Sequence, residues 1–300
     1  MSKSVQRVVV VMLENALRAD VLANRYMSEL RKKGAFLGNS YGVTHSSQPN
    51  YIAAVGGDTF GLYDDTPGYV QWIYESWPND PPVSSIADLL EAAGLTWKNY
   101  AENLPPTYKQ STRFNPDESY ADNVAQIPPD VFPFARRHAP FLSFPNIVSD
   151  PHRLANIVDG DQLTTDLEAG TLPHFSWYTP NLVNDGHSLA ATEQKYDRND
   201  ENRAVNIDNI EAFLKRFLGD DPVGKFPPET LIVITFDEAY PYSDPYQIYT
   251  LLIGDMLQAG TVRAEAYNHY SLLRSVETIF RLGSLHRNDA VASPYWFLRD

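Results

Sequence analysis

Hydrophobic residues fall into two kinds of pattern along this chain. Gln6 to Leu13 is an almost unbroken β-branched and aliphatic run, the pattern of a strand buried on both faces. An amphipathic stretch from Ala19 to Lys33 follows and stops at Gly34, so the chain opens as strand and then helix. Phe36 to Tyr41 reads as strand, and Tyr51 to Val55 as a helix of small residues. Ser85-Ile86-Ala87-Asp88 has capping-box form, with Ile86, Leu89, Leu90 and Ala93 repeating at helical spacing before Gly94. Trp97 to Tyr100 then returns as a strand. Between Glu201 and Leu218 a single apolar stripe is formed by Ile207, Ile210, Phe213, Leu214 and Phe217. Thr230 to Phe236 is a second buried strand, Phe175 to Thr179 and Tyr249 to Ile253 are shorter ones, and Leu272, Leu273, Val276, Ile279 and Phe280 mark the last helix. This alternation predicts an α/β fold with a mainly parallel central sheet flanked by helices on both faces.

Two segments break the alternation. Asp58 to Pro82 and Asn103 to Pro140 are rich in Pro, Asp, Asn and aromatic residues without periodicity, and are expected to be loop insertions capping a site. With no internal repeat and no sharp change of composition, residues 1–300 are expected to form one domain carrying these insertions.

Composition narrows the function classes. Lys+Arg 24 against Asp+Glu 38 gives a net charge of −14, and the densest basic runs are Arg31-Lys32-Lys33 and Arg136-Arg137, which argues against a nucleic-acid-binding or anionic-membrane surface. The absence of cysteine removes disulfides, thiolate catalysis and Cys-ligated zinc. Val8 to Leu13 is far short of the roughly 20 residues of a transmembrane segment. With Met1 read as the start, a cytoplasmic location is expected; a trimmed export signal, for a secreted or periplasmic protein, would leave the same sequence. Gly-x-x-x-x-Gly-Lys, Gly-x-Gly-x-x-Gly, Gly-x-Ser-x-Gly and His-Glu-x-x-His patterns are all missing.

In open parallel sheets, ligands sit beyond the carboxyl ends of the strands, and there this chain is unusually polar. The first strand ends in Glu14-Asn15 and the strand from Leu231 ends in Asp237-Glu238, while Phe175 to Thr179 leads to Asn184-Asp185-Gly186-His187. Singly, Glu14 or Asp237 reads equally as a helix cap, and His187 or His269 as a hydrogen-bonded structural histidine. Together, four carboxylates at one sheet edge would repel one another unless a cation sits between them, and carboxylate, carboxamide and imidazole are the donors that divalent metals take. The turn Thr44 to Tyr51 is a second feature, since a hydroxyl there would sit at a helix N-terminus favourable to anions; plain capping by Ser46 or Ser47 is the alternative.

Across most of its length the chain resembles the bacterial phosphoesterase family of acid phosphatases and phosphate-releasing phospholipases C, a branch of the alkaline phosphatase superfamily. Val9 to Asn15 is similar to its "strand, Glu-Asn" opening, and His45-Ser46-Ser47-Gln48-Pro49-Asn50-Tyr51 to its His-Pro-Ser-x-Pro-Asn-Tyr segment. Ser85 to Glu102, Arg137-His138-Ala139-Pro140-Phe141, Pro180 to His187, Thr235 to Glu238 and Tyr267-Asn268-His269-Tyr270-Ser271 resemble further blocks in the same order. The chain departs from the family at Ala16-Leu17, where a basic residue or histidine and then a hydroxyl residue are usual, and at Ala239-Tyr240-Pro241-Tyr242, where glycines are usual.

The resemblance implies an alkaline-phosphatase-like fold and a phosphoester hydrolase with Ser47 as nucleophile. It further implies that Glu14, Asn15, Asp237 and Glu238 hold a metal that also touches Ser47. Asp185, His187 and His269 would hold a second metal or bind phosphate, with His187 able to protonate the leaving group. His45, Asn50, Lys98 and His138 would contact phosphate or the leaving group. The expected cofactor is one or two divalent ions among Zn, Mn, Mg, Ca and Fe, and the expected partner is a small-molecule phosphate ester. A phosphomonoesterase working through a phosphoserine is the leading expectation. A phosphodiesterase or phospholipase C of the same family, with an apolar rim from Tyr63, Tyr69, Trp72, Tyr74 and Trp77, and a non-catalytic metal-binding relative are the alternatives.

Overall fold

A computed structural model of the protein describes residues 4–70, 83–189, 200–240 and 246–295. The described strands are β1 (Arg7–Leu13), β2 (Ala35–Leu37), β3 (Ser40–Tyr41), β4 (Trp97–Ala101), β5 (Ile157–Asp159), β6 (Phe175–Thr179), β7 (Thr230–Phe236), β8 (Gln247–Ile248), β9 (Thr250–Ile253) and β10 (Thr261–Arg263). Eight of them form one sheet in the order β10-β2-β9-β7-β1-β6-β4-β5, while β3 and β8 pair separately. Within the large sheet only β9 runs against the other strands.

The aliphatic run of β1 explains the layering. Val8, Val10 and Met12 enter one core with Tyr51, Ile86 and Trp177, and Val9, Val11 and Leu13 enter the other with Ile207, Ile210 and Phe213. All six of these β1 side chains are fully buried, as expected for a central strand covered by helices on both faces. The helix Ser47–Gly56 serves the first core and the long helix Asp200–Leu218 serves the second.

Local signals held or yielded for identifiable reasons. Ser85 and Asp88 make both bonds of a capping box on the helix Ile86–Ala92. The amphipathic stretch from Ala19 to Lys33 is not one helix. It breaks at Asn24, whose backbone is extended and whose side chain accepts from the Met27 N–H to start the helix Arg25–Leu30. The strand expected over Phe36 to Tyr41 is divided between β2 and β3, which belong to different sheets.

The described parts of the two aperiodic segments meet one another. Arg136 fastens them together: buried, it donates to the Gly68 and Leu142 carbonyls over 3.2 and 2.7 Å and lies over the Tyr69 ring. The Val70 N–H adds a bond to the Ser143 carbonyl over 2.8 Å. The sheet's connections change direction around β1, which has β6 on one side and β7 on the other, so a crevice opens beyond its carboxyl end.

Candidate active site

Glu14 leaves β1 fully buried, and its carboxylate is the hub of the cluster. The Ser47 hydroxyl donates to Glu14 Oε2 over 2.9 Å, and Asn15 Nδ2 donates to the same oxygen over 2.9 Å. His187 Nδ1 lies 3.2 Å from Glu14 Oε2, and His138 Nε2 lies 3.1 Å from Glu14 Oε1. His138 Nδ1 in turn faces Asp185 Oδ2 at 3.1 Å, which puts the buried imidazole between two carboxylates. From the end of β7, Asp237 Oδ1 accepts from the Asn15 N–H over 3.1 Å.

The local backbone is shaped to present these groups. Ser47 is the first residue of its helix, and Ser46 before it has φ 77, a conformation that a residue with a side chain holds only when its surroundings impose it. Asn50 imposes it. Its Oδ1 accepts from the Val43 and Thr44 N–H groups over 2.8 and 3.2 Å, and its Nδ2 donates to the Thr44 and Ser46 carbonyls over 2.8 and 3.0 Å. After β6, Glu102 and Asn181 brace the loop that carries Asp185 and His187, with Glu102 accepting from Asn181 N and Asn184 Nδ2. Gly186 between them has φ 93, and a Cβ there would meet Ile210 Cδ1 at 2.5 Å.

The electrostatics are those of acids held apart from water. Burial pushes the Glu14 carboxyl up to about 7, with the Arg137 guanidinium as the main opposing influence. Burial first and Glu14 second push Asp185 and Asp237 well above the carboxylate range. Burial, then Arg137 and His187, hold the His138 imidazolium well below its usual range. His269 is brought down to about 4 by burial.

Among the buried polar atoms here, Asn15 Oδ1 and Asp237 Oδ2 make no hydrogen bond, and neither do Glu14 Oε1 and His138 Nε2, which face one another across 3.1 Å without hydrogen-bond geometry. An unsatisfied buried group costs about 1–3 kcal/mol, and such groups in native proteins call for an explanation. Three are oxygens suited to a hard cation, and the fourth is a ring nitrogen beside one of them, so the donor set fits a divalent metal. Among the described residues, ligand atoms of Glu14, His138 and His187 lie within 4.8 Å of one another. An oxygen set of Glu14, Asn15 and Asp237 and a mixed set of Glu14, His138 and His187, with Asp185 behind His138, therefore meet at one carboxylate.

Not every residue singled out from the sequence joins this cluster. His138, expected only as a phosphate or leaving-group contact, sits at its centre. His269 does not join the Asp185–His187 pair, because its Nε2 donates to the Asp237 main-chain oxygen over 2.6 Å and so props the end of β7. Glu238 is buried and pairs with His45 Nδ1. Asn50 spends its amide on the main chain of the nucleophile turn, as a brace and not a substrate contact. Lys98 belongs elsewhere: it enters near the amino end of β4 and forms an ion pair with Asp166 at 2.5 Å. Ser46 makes no side-chain cap, and the Ser47 hydroxyl points to Glu14, so simple capping does not account for the two serines. Of the aromatic rim, Tyr63 is 80% exposed, Tyr69 is buried with its hydroxyl on the Arg113 carbonyl, and Trp72, Tyr74 and Trp77 lie outside the described residues. Arg137 went unnoticed as a site residue, though it stands beside His138 and its Nη2 is 3.4 Å from His187 Nε2. Its signal in the sequence is the block Arg137 to Phe141 that resembles a family segment, at the end of a capping insertion.

The sheet order and the carboxyl-edge cluster define an alkaline-phosphatase-like α/β protein. Solved structures share this fold: a protein of the alkaline phosphatase superfamily from Vibrio parahaemolyticus superposes with a TM-score of 0.54 at 14% identity, covering 96% of this chain and 70% of that one. A lipoteichoic acid synthase from Listeria monocytogenes superposes with a TM-score of 0.53 at 9% identity, covering 93% of this chain and 72% of that one. The chain belongs to the Phosphoesterase family, whose model matches residues 22–283. It is similar to a probable acid phosphatase of Kluyveromyces lactis, 32% identical over 96% of this chain and 61% of the relative, and to an acid phosphatase of Aspergillus niger, 33% identical over 97% of this chain and 62% of the relative. It thus spans about three-fifths of the length of these fungal relatives. A phosphatidylinositol-3-phosphatase of Mycobacterium tuberculosis is 27% identical over 92% of this chain and 77% of the relative.

Proposed function

We propose that the protein is a metal-dependent phosphoester hydrolase, foremost a phosphomonoesterase that works through a phosphoserine on Ser47. The observation that carries this reading is the Ser47 hydroxyl bonded to Glu14 among buried oxygens that have no partner. A serine nucleophile needs activation, and a cation among these acids needs a reason to be bound; one site answers both. The family and the acid phosphatase relatives support the same chemistry.

Glu14, Asn15 and Asp237, with His138, His187 and Asp185 alongside, would hold one or two divalent ions. When bound, such an ion supplies Lewis-acid stabilisation of phosphoryl charge and favours the alkoxide of a nearby hydroxyl. The protein's own part begins with the Ser47 proton, which passes to Glu14 Oε2 as Oγ bonds to phosphorus and the bond from phosphorus to the alcohol oxygen breaks. His187, at the solvent-facing side of the cluster, is placed to give the departing oxygen its proton. Water then attacks phosphorus and gives a proton back to His187, the bond from phosphorus to Oγ breaks, Oγ recovers its proton from Glu14, and inorganic phosphate is released. Asn50 and His269 hold the turn and strand end that carry these atoms.

The anionic substrate meets a protein of net charge −14, and bound cations would invert the local potential where surface lysines do not. A second reading, hydrolysis of a phosphodiester such as a phospholipid, is favoured by the exposed Tyr63 and Val131, one on each capping segment. Hydrolysis of para-nitrophenyl phosphate across pH 4 to 10, after chelation and resupply of Mg, Mn, Zn, Ca or Fe, tests the leading reading. Turnover that returns with metal supports it; activity only on bis-para-nitrophenyl phosphate transfers support to the diester reading; no activity on either ester refutes both.

A further inference from the structure

Gln48 follows Ser47 in the chain and is fully buried. Its Nε2 donates to the Asp64 and Thr66 carbonyls over 3.1 and 2.8 Å, and its main-chain N–H donates to Asp65 Oδ1 over 2.9 Å. One residue of the nucleophile helix therefore grips three consecutive residues of the first capping segment. The gripped turn is closed on itself, since Asp64 Oδ1 accepts from the Thr66 N–H over 3.0 Å.

The clasp acts in both directions. The first N–H groups of a helix have no partner within it, and a local N-cap side chain ordinarily takes one of them. Ser46 makes no such bond, and Pro49 has no N–H. Asp65, seventeen positions beyond Gln48, supplies the acceptor instead. The start of the Ser47 helix is thus completed by a side chain of the capping segment, and that segment is held in turn by the side chain next to Ser47.

Filling space does not explain the glutamine. Its Oε1 is buried with no hydrogen-bond partner among the described residues, a penalty that methionine, of similar size, would not carry. What methionine lacks is the pair of N–H donors that the Asp64 and Thr66 carbonyls use.

We propose that Gln48 is a positioning residue that couples the first capping segment to the nucleophile. Ser47 takes its reactive place beside Glu14 only while residues 64–66 are seated on Gln48. Asn50 ties the nucleophile turn to itself, whereas Gln48 ties it to the segment that carries the exposed Tyr63. The part given to Ser47 rests on the hydrolase reading; the clasp itself does not.

Hydrogen–deuterium exchange of the metal-supplied protein reads the clasp without turnover, and steady-state hydrolysis of para-nitrophenyl phosphate reads its effect on Ser47. Gln48→Met keeps the size of the side chain and removes both donors. It is expected to speed exchange in peptides covering residues 58–70 by about fivefold or more, the mark of a local opening. Its kcat should fall by about tenfold or more, as a displaced nucleophile would show, with KM within about twofold of wild type. Leu89→Ala, which trims a partly buried core contact on another helix, should lose stability and keep its kcat. Asp65→Ala and Asp65→Asn both remove a charge, so the difference between them reads the hydrogen bond to Gln48. The first should speed exchange over residues 43–56 and 58–70, and the second should exchange as wild type. Wild-type exchange over residues 58–70 in folded Gln48→Met would overturn the proposal, as would faster exchange with an unchanged kcat. Should Gln48→Met not fold, the Asp65 pair decides: faster exchange and lower kcat in Asp65→Ala than in Asp65→Asn support the proposal, and identical behaviour overturns it. Faster exchange over both stretches in a protein that hydrolyses no ester would refute the hydrolase reading while supporting the clasp.

Discussion

Ser47 and Glu14, thirty-three positions apart, share a 2.9 Å hydrogen bond in which both side chains are sealed from solvent. A buried hydroxyl that donates to an acid raised to about 7 is poised to give up a proton, unlike a serine that caps a helix. Ser47→Ala should therefore abolish phosphoester hydrolysis, by about 10³-fold or more, as expected for a nucleophile that acts as one unit with its partners. Its melting temperature should stay close to that of wild type, because Ala suits the first turn of a helix. Steady-state rates and a thermal melt on the same sample check both halves.

Metal removal should register in stability independently of turnover. The unpartnered oxygens of Glu14, Asn15 and Asp237 favour any state in which a cation satisfies them, and a ligand that binds only the folded protein raises its stability in proportion to the logarithm of its concentration. Chelation should lower the melting temperature and resupply of the preferred ion should restore it. Glu14→Gln should blunt that response, and an undiminished response in Glu14→Gln would argue against Glu14 as the shared ligand.

Asn50 offers a test of the brace that shapes the nucleophile turn. Asn50→Ala would leave the Val43 and Thr44 N–H groups and two carbonyls without their partner, at a cost of about 1–3 kcal/mol for each buried group left unsatisfied. We expect a clear drop in melting temperature and a kcat lowered more than KM is raised, measured by steady-state kinetics below the new transition. Unchanged kinetics in a folded variant would show that the positive φ of Ser46 is held by something else.

Much of this architecture was legible because it rests on local rules. The β1 run reads as a two-faced strand because every side chain in it enters one of two cores, and the capping box at Ser85 forms as its spacing requires. The acids at strand ends meet because parallel strands bring their carboxyl ends to one edge. What escaped depends on distant partners. Arg137 and His138 sit at the end of an aperiodic insertion, and nothing within that segment says that it folds back over β1 to reach Glu14. His269 carries the same side chain as His138, and only the tertiary path decides which of them meets Asp185. Lys98 stands in a block resembling the family's, yet parallel register places it opposite Ser176 near the start of β6, away from the polar edge. Strands as short as β5 and β10 carry too few residues for a pattern and exist through their pairing.

A buried acid pair outside the site predicts a pH dependence of stability. Glu277 and Asp289 are both fully buried, and burial, then Asp289, push the Glu277 carboxyl up to about 8. A carboxyl whose folded pKa is raised contributes stability that is complete below its unfolded value near 4.5 and is lost as pH rises through about 8. The melting temperature of wild type should thus fall from pH 5 to pH 8 by more than that of Glu277→Gln. Parallel pH profiles of the two proteins would show that this pair has no such influence.

In the proposed reaction the phosphoryl group passes through Ser47. Rapid acid quench of metal-supplied enzyme during turnover of a phosphate monoester, followed by peptide mass spectrometry, tests it most directly. A single phosphoryl group is expected on the peptide containing Ser47, absent from Ser47→Ala. Burst kinetics with phosphate on another residue, or undiminished hydrolysis by Ser47→Ala, would contradict it.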